Sequence, residues 1–155
     1  DLGALVESVD LMDEGGGVQT VPRTDLGFRY RCADLGGRWA LSARLKLRPG
    51  DGNGILTSVE KQLARRAERQ PLGTKNCGSV FKNPPGDFAA RLIEAAGLKG
   101  HRIGGARVSP KHANFIENTD NASAADVRQL IALIKKTVRD RFGTDLELEV
   151  WTVGE

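Results

Sequence analysis

Short alternating runs fill the first fifty residues. Val6, Val9 and Leu11 belong to one run that stops at Glu14-Gly-Gly-Gly17, a turn signal. Val18 to Val21 predicts the partner strand, closed by Pro22. Phe28, Tyr30 and Cys32 alternate with Arg29 and Arg31, which predicts a strand with rings and sulfur on one face and guanidinium groups on the other. The clearest pattern runs from Trp39 to Leu47. Trp39, Leu41, Ala43, Leu45 and Leu47 lie on one face, and Ser42, Arg44, Lys46 and Arg48 follow on the other. Such alternation predicts a sheet buried on one side and wet on the other, hence antiparallel.

The period then lengthens. Thr57-Ser-Val-Glu60 reads as a capping box, and Val59 and Leu63 give a thin apolar stripe among Lys61, Arg65, Arg66 and Arg69 before Pro71 stops the helix. Ser79 to Asn83 reads as extended. Asp87 is expected to cap a helix carrying Phe88, Leu92 and Ala96, stopped by Gly97 with Leu98 beyond it. Ile103 to Val108 and Phe115 to Asn118 read as strands, and Gly104-Gly105 as a bulge or a close approach of backbone to a neighbour. Ser123 is expected to cap the longest helix, whose core stripe is Val127, Leu130, Ile131, Ile134 and Val138 and whose stop is Gly143. Leu146, Leu148 and Val150 alternate with Glu147 and Glu149 in a last strand. The class is therefore α+β, with a change of character near residue 70.

Composition narrows the partners. Twenty-three Lys and Arg face 20 Asp and Glu, a net charge of only +3. The charges are interspersed, which argues against a nucleic-acid-binding stripe and suits an anionic small molecule equally well. No apolar run approaches the roughly 18 residues of a membrane span. No charged segment followed by an apolar one opens the chain, so the reading is a cytoplasmic protein whose two cysteines, Cys32 and Cys77, stay reduced.

Candidate chemistry is sparse when each residue is read alone. Ser79 follows Gly78, which would let a ligand approach closely, yet a serine nucleophile needs a base. His101 and His112 have no informative spacing to it, so Ser79 alone reads as a turn serine. The same two histidines lack the spacing and Cys partners of a zinc site. Glu147 and Glu149 share a strand face and could do acid–base work or simply be solvated. Cys77 reads as a buried structural thiol.

Five segments taken in order change the picture: Gly78-Ser-Val-Phe-Lys-Asn-Pro84, Ala95-Ala-Gly-Leu-Lys-Gly100, Arg102-Ile-Gly-Gly-Ala106, Lys111-His-Ala-Asn-Phe115 and Leu146-Glu-Leu-Glu-Val150. Together they resemble the UDP-N-acetylenolpyruvoylglucosamine reductase (MurB) family over essentially the whole chain. The resemblance implies that residues 1–70 are the end of an antiparallel-sheet FAD-binding domain with its connecting helix. It implies that residues 71–155 are a small α+β substrate-binding domain. The family's flavin-binding region would then lie upstream of Asp1.

The implied reaction is reduction of UDP-N-acetylglucosamine enolpyruvate to UDP-N-acetylmuramate by FAD and NADPH. It is a cytoplasmic step in peptidoglycan synthesis, and so bears on cell-wall biogenesis, cell shape and cell division. The resemblance makes Ser79 the general acid and Glu149, not Glu147, the catalytic carboxylate. It makes Tyr30, Lys82, Asn83 and His112 substrate-side residues. From charge, spacing and hydropathy, no metal, nucleic acid or membrane partner is expected. The basic residues around Arg65 to Arg69 suit a diphosphate. A non-catalytic UDP-sugar-binding fragment without flavin is the alternative. Three positions depart from the family pattern: Leu148 stands for a usual Pro, Trp151 for Arg and Ala33 for Ser.

Overall fold

The computed structural model describes residues 2–154; Asp1 and Glu155, the outer limits of the two expected segments, lie outside the described residues. The chain divides into two compact units between Ile55 and Leu56.

The first unit is built on β1 (Val6–Met12), which pairs antiparallel with β2 (Val18–Pro22) on one side and β5 (Trp39–Leu45) on the other. Asp10 pins the three strands from the wet face: Thr20 Oγ1 donates to its Oδ1 at 2.6 Å and Ser42 Oγ to its Oδ2 at 2.5 Å. These hydroxyls, Ser42 first, hold its carboxyl below the usual aspartate range. The opposite face buries Val6, Val9, Leu11, Val21 and Leu26, with Phe28 and Leu35 packed against them.

β5 departs from the expected half-buried strand. All seven of its residues are exposed, Trp39 at 53%, Leu41 at 54% and Leu45 at 41%. Register explains much of this. Ser42 opposes Asp10 while Ala40 opposes Leu11, so Leu41 is an extra, unpaired residue in a bulge. The positions facing Val9 and Leu11 fall to the small Ala43 and Ala40.

The expected strand through Phe28, Tyr30 and Cys32 is a hairpin instead. β3 (Gly27–Arg29) pairs with β4 (Cys32–Asp34), and Tyr30-Arg31 is the turn, with Arg31 at φ 56°. Cys32 is exposed, not part of a buried face.

Helix α1 (Gly52–Arg69) begins five residues before the expected Thr57. Asp51 supplies the cap: its carboxylate accepts from Gly54 N at 2.9 Å and Asn53 N at 3.3 Å. None of its residues is buried, so Val59 and Leu63 form no buried stripe.

The second unit holds an antiparallel sheet in the order β6 (Asn76–Ser79), β9 (Phe115–Asn118), β8 (Ala106–Val108), β7 (Arg102–Ile103). Helices α2 (Ala89–Ala95) and α3 (Ala124–Phe142) pack with it around one core. Leu130, Ile134 and Val138 of α3 are at most 1% exposed, as the stripe predicts. Ser123 and Asp126 close a capping box at the start of α3, and Gly143 ends it in the left-handed conformation at φ 66°. Helix α2 ends in a Schellman arrangement: Gly97 N donates to Glu94 O at 2.9 Å and Leu98 N to Ile93 O at 3.2 Å, with Leu98 buried.

Its start differs from expectation. Phe88, not Asp87, is the N-cap, and Phe88 is 64% exposed rather than core. Asp87 is drawn off by Arg91, and with the Phe88 N–H this ion pair lowers its carboxyl to about 2.

Gly104-Gly105 is the two-residue turn between β7 and β8, not a bulge in one strand, because Ile103 pairs with Ala106. A Cβ at Gly105 would sit 2.0 Å from the Asp120 carbonyl oxygen and 2.6 Å from Ala122 N. That is the close approach to a neighbour foreseen as the other reading. The Leu146–Val150 segment forms no continuous strand; it keeps a single antiparallel bridge, Phe81 to Leu148.

Gly105→Ala is therefore expected to destabilise the second unit by about 1–3 kcal/mol, the range for inserting a methyl group into packed backbone. Urea unfolding followed by circular dichroism measures it; an unchanged midpoint would mean that the 120–122 loop yields freely.

Candidate functional site

Ser79 ends β6, directly opposite Phe115 of β9. The chain is steered on both sides of it. Before it, Gly78 adopts φ 86°, a conformation open to glycine at little cost, and pairing is irregular between Asn76 and Ser79. Asn76 holds this bend: its Oδ1 accepts from Gly78 N at 2.9 Å and its Nδ2 donates to Pro71 O at 3.1 Å. After it the chain bends at Val80, and both Val80 and Phe81 enter the core at 1% exposure. The expected extended run from Ser79 to Asn83 is therefore interrupted, because the bend at Val80 breaks the alternation.

The backbone of this buried step is bonded to two distant segments. Glu149 N donates to Val80 O at 2.9 Å, and Lys82 N donates to Glu147 O at 2.8 Å. On the other side Asn114 N belongs to the β9 approach, and its carbonyl accepts from Val80 N at 2.9 Å. The Asn114 side chain then takes both backbone groups of Phe81: Phe81 N donates to Oδ1 at 2.9 Å, and Nδ2 donates to Phe81 O at 2.8 Å. Asn114 is 4% exposed.

Five of the expected residues fall on or beside this step. Ser79 immediately precedes it, and half-buried Glu149 is bonded through its backbone to Val80. Lys82 is ion-paired with Glu147. Asn83 is engaged locally: its Oδ1 accepts from Ala89 N at 3.1 Å, satisfying a donor at the start of α2. His112 sits edge-on to Phe115, the partner of Ser79, with ring centroids 4.8 Å apart at 69°. Its Nδ1 accepts from Asn114 N at 3.3 Å, so a neutral ring carries its proton on Nε2. Burial pushes its pKa below 6.5, and Lys99 adds to this.

Tyr30 belongs to the first unit. It is 63% exposed at the β3–β4 turn, with the Arg31 guanidinium carbon 5.7 Å from its ring centre. It borders an open hollow of about 700 Å³ lined also by Val6, Phe28 and Ala33. The bases of α1 are exposed. Arg66 Nε donates to Gln70 at 2.9 Å, and Lys111 reaches the Ala67 carbonyl at 2.5 Å. Cys77 is exposed, contrary to its reading as a buried thiol. Among the described residues no helix is long and apolar enough to cross a membrane.

Two residues close to the site were given no role from sequence. One is Asn114. The other is Ser109, fully buried, whose Oγ accepts from Lys111 N at 3.2 Å and His112 N at 3.4 Å. A short polar residue just after a strand and another between Ala113 and Phe115 were the available signals.

A hydroxyl, a carboxylate, a lysine and a neutral imidazole thus flank one bent, buried strand step in an α+β unit. That combination suits proton transfer beside an anionic ligand. The comparisons define the group more closely. The family model "UDP-N-acetylenolpyruvoylglucosamine reductase, C-terminal domain" matches residues 70–153, and the chain belongs to this family. A UDP-N-acetylenolpyruvoylglucosamine reductase of Methylococcus capsulatus is 47% identical over 156 residues, covering 98% of this chain and 50% of that protein. Another from Shouchella clausii is 42% identical, covering 97% and 49%. The crystal structure of the Thermus caldophilus reductase (MurB) superposes with a TM-score of 0.81 at 36% identity, over 97% of this chain and 54% of that one. The chain spans about half the length of the curated relatives it matches.

The His112 ring should titrate with a midpoint below 6.5 when followed by NMR; a midpoint above 6.5 would contradict its desolvated setting. Its folded-state pKa lies below the unfolded value, so the unfolded chain takes up the proton first. The corresponding stability is complete above pH 6.5 and is lost as pH falls through the folded-state value. His112→Gln should flatten that part of the stability profile.

Proposed function

We propose that this chain supplies the proton-donating, substrate-side half of a UDP-N-acetylmuramate-forming reductase. Residues 1–70 are read as the end of its FAD-binding domain with the connecting helix, and 71–155 as its substrate-binding domain. Exposed Trp39, Leu41 and Leu45 on β5 are then the apolar surface that the remainder of the flavin domain covers. The substrate is UDP-N-acetylglucosamine enolpyruvate, and the step belongs to cytoplasmic synthesis of peptidoglycan precursor. The observation that carries the reading is the backbone bond from Glu149 to Val80, which brings the segment of the candidate carboxylate to the residue after Ser79.

When bound, a flavin reduced by NADPH would supply the hydride that reaches the β-carbon of the enolpyruvyl group. The residues here fit the substrate end of that chemistry. As hydride arrives, negative charge develops toward the α-carbon and its carboxylate. Ser79 Oγ gives its proton to the α-carbon, leaving the lactyl ether. Loss of an alcohol's proton needs a site where charge is stabilised by fixed donors and cations. Glu149 is read as acting on the same reacting group. His112, neutral at pH 7, offers Nε2–H as a donor. Tyr30, Lys82 and Asn83 are read as substrate-side groups, and Arg65, Arg66 and Arg69 face the diphosphate.

In a reductase of full family length whose C-terminal half is this chain, Ser79→Ala should leave flavin reduction by NADPH intact. It should slow flavin reoxidation by the enolpyruvyl substrate by about 10²–10⁴-fold, the usual worth of a general acid. A loss under tenfold would remove Ser79 from the role. Glu149→Gln should impair the same half-reaction severely and Glu147→Gln mildly. The reverse ranking would shift the register of the carboxylate by two residues.

A further inference from the structure

We infer that Asn114 is a positioning residue for the proton-transfer step: its side-chain amide clamps Phe81 and thereby fixes Ser79 and Glu149 against each other. The inference rests on the roles proposed above for those two residues. Three facts carry it. Val80 and Phe81 are buried in succession, so their backbone groups need partners away from water. The regular pairing of β6 with β9 has ended at Ser79, so no strand supplies the partners of Phe81 on that side. Asn114 replaces them with one planar amide that accepts from Phe81 N and donates to Phe81 O. The Asn114 main chain adds the bond from Val80 N.

The same two residues are held on their other edge by the 147–149 segment. Val80 O accepts from Glu149 N, and Leu148 bridges to Phe81. Asn114 therefore stands behind the joint at which the hydroxyl-bearing and carboxylate-bearing segments meet. It acts through the backbone of Val80 and Phe81, to which its bonds run. Among natural side chains of this size only an amide offers one donor and one acceptor in one plane at neutral pH. Asp would present two acceptors, one of them toward the Phe81 carbonyl. A protonated Asp would restore the donor.

The test has two parts. In this chain, the Phe81 amide should exchange slowly with solvent deuterium. Asn114→Leu should speed that exchange at least about tenfold, as the loss of a buried acceptor requires; an unchanged rate overturns the clamp. In the full-length reductase, rates are expressed per bound flavin, which removes any difference in the amount folded. Asn114→Leu should leave flavin reduction by NADPH unchanged and slow reoxidation by the enolpyruvyl substrate about 10- to 100-fold, the effect of misplacing a reacting group by about 1 Å. Should Asn114→Leu fail to fold, Asn114→Asp decides: its reoxidation rate relative to the parent should rise as the pH is lowered and the carboxyl regains its proton. A ratio that does not change with pH overturns the inference. Equal slowing of both half-reactions also overturns it, because it would mark a general structural role. Ser79→Ala run beside these variants separates the two layers. Slowing by Ser79→Ala with none by Asn114→Leu overturns the positioning role alone, and no slowing by Ser79→Ala overturns both.

Discussion

Burying Val80 and Phe81 side by side removes from water a piece of backbone that can no longer alternate between a wet and a dry face. An unpartnered buried amide or carbonyl costs on the order of 1–3 kcal/mol, so four such groups demand partners from somewhere. They come from two segments distant in sequence. The Asn114 amide and carbonyl serve one edge and residues 147–149 serve the other. The rest of the second unit can be understood from this requirement. The loop before β9 must bring Asn114 in, and the chain after α3 must come back to be bonded. The three segments are thereby brought side by side at Val80 and Phe81.

Charge on the two strands is sorted by the same geometry. Glu147 and Glu149 have equal claim in the bare pattern, both flanking the inward Leu148. Lys82 sends both its backbone N–H and its ammonium to Glu147. This exposed ion pair contributes little to stability. His112 is treated in the opposite way: packed on Phe115 and desolvated, it is kept neutral near pH 7 and can only donate through Nε2.

What the sequence made legible was whatever depends on neighbours along the chain. The cap at Ser123, the stop at Gly143, the Gly97–Leu98 ending of α2 and the stripe Leu130, Ile134, Val138 all follow from spacing within a few residues, and all are present. What failed depends on register. On β5 a bulge at Leu41 shifts which residues oppose β1, and no local pattern announces a bulge. Phe28 to Cys32 was misread because alternation continues through a two-residue turn, which Arg31 closes in a left-handed conformation unusual for arginine. Within the site, the order of motifs pointed to Ser79 and Glu149 only through resemblance. The physical link between their segments is the bond from Glu149 N to Val80 O, with Asn114 clamping Phe81 from 33 residues away.

Precision at that joint is inherited from the helical core through a short series of contacts. The Gly104-Gly105 turn fits beneath the start of α3, with room for no Cβ against Asp120 and Ala122. This fixes β8, whose partner β9 is registered through Val108 opposite Ile116. The loop between these strands is closed from within: Ser109 N donates to Phe115 O at 2.8 Å, and the Ser109 hydroxyl gathers the N–H groups of Lys111 and His112. Asn114 leaves that closed loop in a single direction, toward Phe81. A helix cap, a glycine with no space beside it and a buried serine thus determine where an amide sits. That amide determines the path of the strand step bearing Ser79. Loosening anywhere along the series therefore reaches that strand step, and under the roles proposed above a side chain displaced by about 1 Å would lose most of the advantage of being held in place.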